Sequence, residues 1–109
     1  MKPSDSDKEF IDASIAALHR LWEIAWRNSG QPRHVARFLL SLYNGERFPF
    51  DLSDFRCLDT KIFEDCLLVL EMDSRYMTNV HNFFKDGEQS FEKLASLWRF
   101  TSHKEGTWR

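Results

Sequence analysis

Apolar residues recur every three or four positions over four stretches of the chain, the repeat of a single helix face. The first stretch puts Ile11, Ile15, Leu18, Trp22, Ala25 and Trp26 on one stripe, widened by Leu21 and Ile24. Asp12, His19, Arg20, Glu23 and Arg27 take the opposite face. Ser6-Asp7-Lys8-Glu9 has the form of a capping box, in which the serine hydroxyl accepts a free backbone N–H and the glutamate reaches back. The predicted helix runs to about Asn28 and is the longest in the chain. Asn28-Ser29-Gly30 ends it, with Gly30 suited to a left-handed cap.

Pro32 fits the first turn of a second helix, where its missing N–H would have no partner in any case. That helix extends to about Tyr43, with Val35, Phe38, Leu39 and Leu42 as its main stripe and Ala36, Leu40 and Tyr43 beside it. It is apolar over more than half its circumference and is expected to be the most buried element. Asn44-Gly45 stops it. Phe48-Pro49-Phe50 is extended, because proline pushes the residue before it out of the helical region.

Asp51 then caps a short turn from Leu52 to about Leu58, and Asp59-Thr60 opens a third helix of roughly 15 residues. Ile62, Phe63, Cys66, Leu67, Leu70 and Met72 are its expected core face, and Glu64, Asp65, Glu71 and Asp73 its acidic face. Residues 76–87 read as a loop with one helical turn. The last helix runs from about Glu88 to Phe100, with Phe91, Leu94, Ala95, Leu97 and Trp98 inward. No alternating strand pattern and no repeat competes with this reading. The fold class is all-α: a compact bundle of four to five helices, the longest N-terminal. Residues 7–100 form one domain, between a disordered N-terminus (1–6) and a flexible C-terminal tail (101–109).

The length of 109 residues supports that single domain. Area scaling leaves roughly 6,400 Å² exposed out of roughly 19,000 Å² in the unfolded chain, which allows one core and no second one. Ten Phe, four Trp and two Tyr crowd that core. Trp22, Trp26 and Phe48 therefore admit two readings: internal packing, or an exposed aromatic cluster rimmed by arginine, a composition common at protein interfaces.

The formal net charge of −2 predicts neither nucleic acid nor an anionic membrane as partner. Its distribution is uneven. Residues 19–37 hold Arg20, Arg27, Arg33 and Arg37 against Glu23 alone, a formal +3. Residues 51–73 hold seven acids against Arg56 and Lys61, a formal −5. Either the two stretches form opposite charged faces for partners, or they neutralise each other within the fold.

The residues that carry chemistry are sparse. His19, His34, His81 and His103 show no ligand spacing with one another or with cysteine, so no metal is expected. Cys57 and Cys66 lie in apolar patterns and read as small buried thiols. There is no nucleophile elbow and no glycine-rich phosphate loop, so no cofactor is expected. Asp51, Asp54 and Asp59 resemble a carboxylate cluster, but their spacing is also that of helix caps. The second helix of a helix-turn-helix must offer a polar face to bases, and here only Arg33, His34, Arg37 and Ser41 are available. No apolar run reaches the roughly 18 residues that cross a bilayer, and the N-terminus lacks a secretory apolar core. The cytoplasm is the expected location.

Three stretches in order carry a resemblance: Gly30-Gln31-Pro32-Arg33-His34-Val35-Ala36-Arg37-Phe38-Leu39-Leu40; Phe50-Asp51-Leu52-Ser53-Asp54 followed by Leu58-Asp59; and Phe91-Glu92-Lys93-Leu94 running to Leu97-Trp98-Arg99. Over about residues 17–99 the chain resembles a family of small uncharacterised bacterial proteins often carried by plasmids and integrated mobile elements. The resemblance implies a bacterial cytoplasmic setting and an accessory role in such an element, and it transfers no catalytic role to any residue. The expected function is a non-enzymatic protein–protein interaction module, with Trp22, Trp26, Arg27, Arg33, His34 and Arg37 as its binding surface. Non-specific nucleic-acid binding through the same arginines is the alternative. The broad apolar second helix is also compatible with a homodimer.

Overall fold

A computed structural model describes residues 5–27 and 30–98, with the side chains of residues 5 and 6 left aside. The expected disorder of 1–6 and flexibility of 101–109 fall almost wholly outside these residues. Four α-helices follow in order: α1 (Asp5–Ala25), α2 (Gly30–Tyr43), α3 (Thr60–Tyr76) and α4 (Gly87–Trp98). Two 3₁₀ turns, Leu52–Cys57 and Val80–Phe83, flank α3. No strand occurs among the described residues. The all-α bundle with its longest helix at the N-terminus is what the three-four spacing predicts.

α1 makes its broadest contact with α3 and its next with α2, and α2 also packs on α4. α4 also reaches α1, through the Trp22–Phe91 ring pair and the Trp98–Ala25 hydrogen bond. Ala17, Leu18, Leu21 and Ala25 of α1 meet Val35, Ala36, Phe38, Leu39 and Leu40 of α2 in one buried cluster, which Cys66, Val69, Val80, Phe91 and Leu94 complete. Six of the 14 residues of α2 are buried, as expected of a helix apolar over most of its girth. The one buried polar residue of the described chain, Ser14, donates its hydroxyl to the Phe10 carbonyl at 2.8 Å and so leaves no unmet group.

Several local expectations are corrected. The cap expected at Ser6 falls on a side chain outside the described ones. α1 ends at Ala25, and Gly30 is the first residue of α2, with no glycine at positive φ among the described residues. Among the described residues the left-handed positions are Met77 (φ 54°), which closes α3, and Asp86 (φ 53°), which precedes α4. Leu67, Leu70 and Leu97 are 44%, 36% and 50% exposed, although each was expected to face inward. The buried residues of α3 are Cys66, Val69 and Met72, a stripe rotated away from Leu67 and Leu70. Phe48 is buried, and the Phe50 ring packs 5.7 Å from Phe38 and 4.9 Å from Phe55, so the extended crossing is stapled to the core.

Candidate functional site

The six expected binding residues separate into two groups. Trp22 is half-buried: its ring lies 4.7 Å from both Phe84 and Phe91, and 5.5 Å edge-on to Trp26. Trp26 is 38% exposed. With Arg27 at the end of α1, and with Leu97 and Trp98 at the end of α4, it lines a cleft of about 290 Å³. The Trp98 indole Nε1 donates to the Ala25 carbonyl at 2.7 Å, which fastens the last turn of α4 to an open carbonyl at the C-terminus of α1. Helix spacing explains Trp22 and Trp26 as neighbours. Only the fold brings Leu97 and Trp98 to them.

Arg33, His34 and Arg37 lie elsewhere, where α2 faces the first 3₁₀ turn. His34 Nδ1 is buried, 3.6 Å from Asp54 Oδ2, which is too long for a hydrogen bond. Burial, then the neighbouring charge of Arg33, lowers the Arg37 pKa, and Asp54 opposes that shift. The carboxylates of the 51–59 segment have separate tasks. Asp51 Oδ1 accepts from the backbone N–H and hydroxyl of Ser53 at 2.9 and 2.8 Å, a true cap. Asp54 turns to α2. Asp59 stands at the start of α3 without a side-chain cap bond. Its carboxylate accepts from Gln31 Nε2 at 3.2 Å, and its backbone N–H donates to Gln31 Oε1 at 2.7 Å.

The basic and acidic stretches meet at Arg20–Asp65 and around Asp54. Arg20 grips Asp65 with two parallel bonds of 2.9 Å, from Nε and Nη2, between α1 and α3. Together with the Asp54 contacts, this favours neutralisation within the fold over two opposed charged faces.

A polar cluster missed in the sequence sits between α2 and α4. The Tyr43 hydroxyl donates to Glu92 Oε2 at 2.6 Å, and the Arg47 guanidinium holds both carboxylate oxygens, one of them at 2.9 Å. The His81 ring stands edge-on to Tyr43 at 5.3 Å, with its Nδ1 buried and without a hydrogen-bond partner. Burial first, and Glu92 second, push the Tyr43 phenol up to about 12. The Arg47 hydrogen bonds hold the Glu92 carboxyl below its ordinary range.

Stability therefore falls at both extremes of pH. The unfolded chain releases its Tyr43 proton near the ordinary phenol value of about 10, so this contribution is complete below that and is lost as pH rises toward about 12. The Glu92 contribution is present above the ordinary carboxylate range and is lost as pH falls through its lowered value. In urea titrations across pH, Tyr43→Phe should flatten the alkaline limb and Glu92→Gln the acid limb. Unchanged limbs would sink this assignment.

The cysteines divide. Cys66 is buried and burial pushes its thiol up to about 12, so it is no nucleophile near neutral pH. Cys57 is exposed, contrary to expectation, because the 3₁₀ turn carrying it buries no residue. Among the described residues no group of three or more His, Cys, Asp or Glu could hold a metal. No described helix is long and apolar enough to cross a membrane.

These features define a small helical domain with an aromatic cleft between the ends of α1 and α4, its helices tied together by the Arg20–Asp65 and Tyr43–Arg47–Glu92 contacts. The chain belongs to a family of unknown function, DUF7673, whose model matches residues 15–99. No curated protein and no solved structure matches it.

Proposed function

We propose that this chain is a non-enzymatic module that binds another protein through the Trp26–Arg27–Leu97–Trp98 cleft. The observation that carries the reading is the cleft itself: two indoles and a leucine left accessible beside an arginine at the junction of two helix ends. Tryptophan and arginine dominate the energetics of protein interfaces, because one side chain combines a large apolar area with directed polar contact. A cleft of about 290 Å³ accepts one or two apolar side chains of a partner. Arg33, His34 and Arg37 fall outside this surface. The resemblance to small bacterial proteins of plasmids and integrated elements supports an accessory role in the bacterial cytoplasm.

Nucleic-acid binding is the weaker reading. Arg20 is committed to Asp65, and Arg37 and His34 adjoin Asp54, so the arginines of the first two helices do not form an uncompensated stripe.

A photo-crosslinking residue at Leu97, in the source cell, separates the two. The expected product is one discrete protein adduct that disappears with Trp26→Ala and is absent when the probe sits at exposed Lys93 instead. Adducts equal to those from position 93 would refute the reading, and adducts to nucleic acid would favour the alternative.

A further inference from the structure

Resting on the reading of the Trp26–Arg27–Leu97–Trp98 cleft as a protein-binding site, we propose that its partner is an acidic one: a segment with a large apolar side chain and an aspartate or glutamate one or two residues from it. Of the four residues that line the cleft, Arg27 alone is charged. Most described arginines already have partners. Arg20 pairs with Asp65, Arg47 with Glu92 and Arg75 with Glu71, and Arg33 and Arg37 are engaged as well. The Arg27 guanidinium is exposed and makes no ion pair or hydrogen bond among the described residues. Glu23 stands one turn before it on α1, and Asp59 lines the groove that adjoins the cleft at Arg27, yet neither bonds it. The Asp59 carboxylate accepts from Gln31 instead.

The end of α1 offers more to an acid than to a base. Its Ile24 and Ala25 carbonyls, which could hold a lysine, already accept from the Arg27 backbone N–H at 2.9 Å and the Trp98 indole at 2.7 Å. An apolar side chain seated among Trp26, Leu97 and Trp98 brings the next residues of its own chain within reach of Arg27, which lines the same cleft. The rings that shed water around that side chain also shed water around the guanidinium. A carboxylate then gains a charge-assisted hydrogen bond stronger than one in open solvent. A neutral neighbour leaves the partly desolvated guanidinium without its acceptor, which is itself a cost, and a basic one is repelled. The aromatic wall supplies affinity and the arginine supplies the choice between partners.

The test selects random short peptides, displayed on phage, against the full chain. Recovered peptides should share a large apolar residue with an aspartate or glutamate one or two positions away. Selection on Arg27→Glu should return lysine or arginine in place of the acid, and selection on Trp26→Ala should return no shared apolar residue. Arg27 is exposed, so its variants keep the fold. For one recovered peptide, followed by fluorescence anisotropy, replacing its acid with the matching amide should weaken binding about fivefold, the upper end for an exposed ion pair. In Arg27→Gln the same replacement should have no effect, the coupling expected of a direct contact. Peptides that need Trp26 but show no charge preference would overturn the acidic partner and leave the cleft a protein-binding site. Acidic peptides indifferent to Arg27→Glu, or no shared sequence at all, would overturn it too. So would a light-scattering mass of two chains that falls to one in Trp26→Ala, since the cleft would then hold a second copy. Failure of the cleft itself is read separately, from the crosslink at Leu97.

Discussion

Replacing Gly87 with alanine is expected to destabilise the fold by about 3 kcal/mol or more, among the larger effects of a single methyl group. α4 starts directly against the second 3₁₀ turn, and a Cβ on Gly87 would lie 1.7 Å from the His81 carbonyl oxygen and 2.7 Å from its carbon. Both atoms are backbone, so no side chain can swing aside. Relief requires moving the 3₁₀ turn, and with it buried Val80, or tilting α4 off the core. The glycine is needed for space and not for a left-handed backbone, since no described glycine has positive φ. A thermal melt should fall by roughly 12–24 °C, on the scale of 4–8 °C per kcal/mol for a domain of this size. Gly30→Ala is the control. Nothing lies within 4 Å of a Cβ there, so its effect should stay within about 1 kcal/mol of neutral. Similar melts for the two variants would show that the close approach at Gly87 does not exist.

Phe91→Ala is expected to lose about 3–5 kcal/mol. The Phe91 ring is fully buried at the meeting of three elements, 4.7 Å from Trp22, 5.2 Å from Tyr43 and 5.8 Å from Phe84. Removing it opens a cavity walled by other large rings, which cannot close without moving α1 relative to α4. Urea unfolding should show a lower midpoint at an unchanged slope, the signature of lost stability without a changed unfolded state. Phe91→Leu keeps much of the volume and should lose less. Equal midpoints for wild type and Phe91→Ala would mean that α4 does not dock through this ring.

The helices were legible in the sequence wherever a stripe of one period was clearly bounded, as in α2 with its proline start and glycine-containing stop. Asp51 as a cap was legible for the same local reason. What failed was decided by neighbours far away in sequence. Leu67 and Leu70 lie on an apolar stripe as convincing as that of Cys66 and Val69, and only the position of α1 selects between them. Gly30 had the composition of a helix stop but opens the next helix. Composition also could not show that Arg20 would meet Asp65, so the uneven charge along the chain suggested more polarity than the molecule has. Of the candidate site, Trp26 and Arg27 were visible as helix neighbours. Leu97 and Trp98, and the Tyr43–Arg47–Glu92 cluster, depend on contacts across 45 residues or more and left no local signal.

The broad packing of α1 on α3 has a consequence for synthesis. A chain leaves the ribosome N-terminus first, at about 5–20 residues per second, and α1 finds only its lesser partner, α2, next in line. Its broad partner ends at Tyr76, about 50 residues after α1 is complete, a delay of roughly 3–10 s at that rate. Throughout that interval the face of α1 that bears Arg20 has no Asp65 to meet. The nascent pair of α1 and α2 is thus a half-built bundle, with the face of α1 that α3 covers still open.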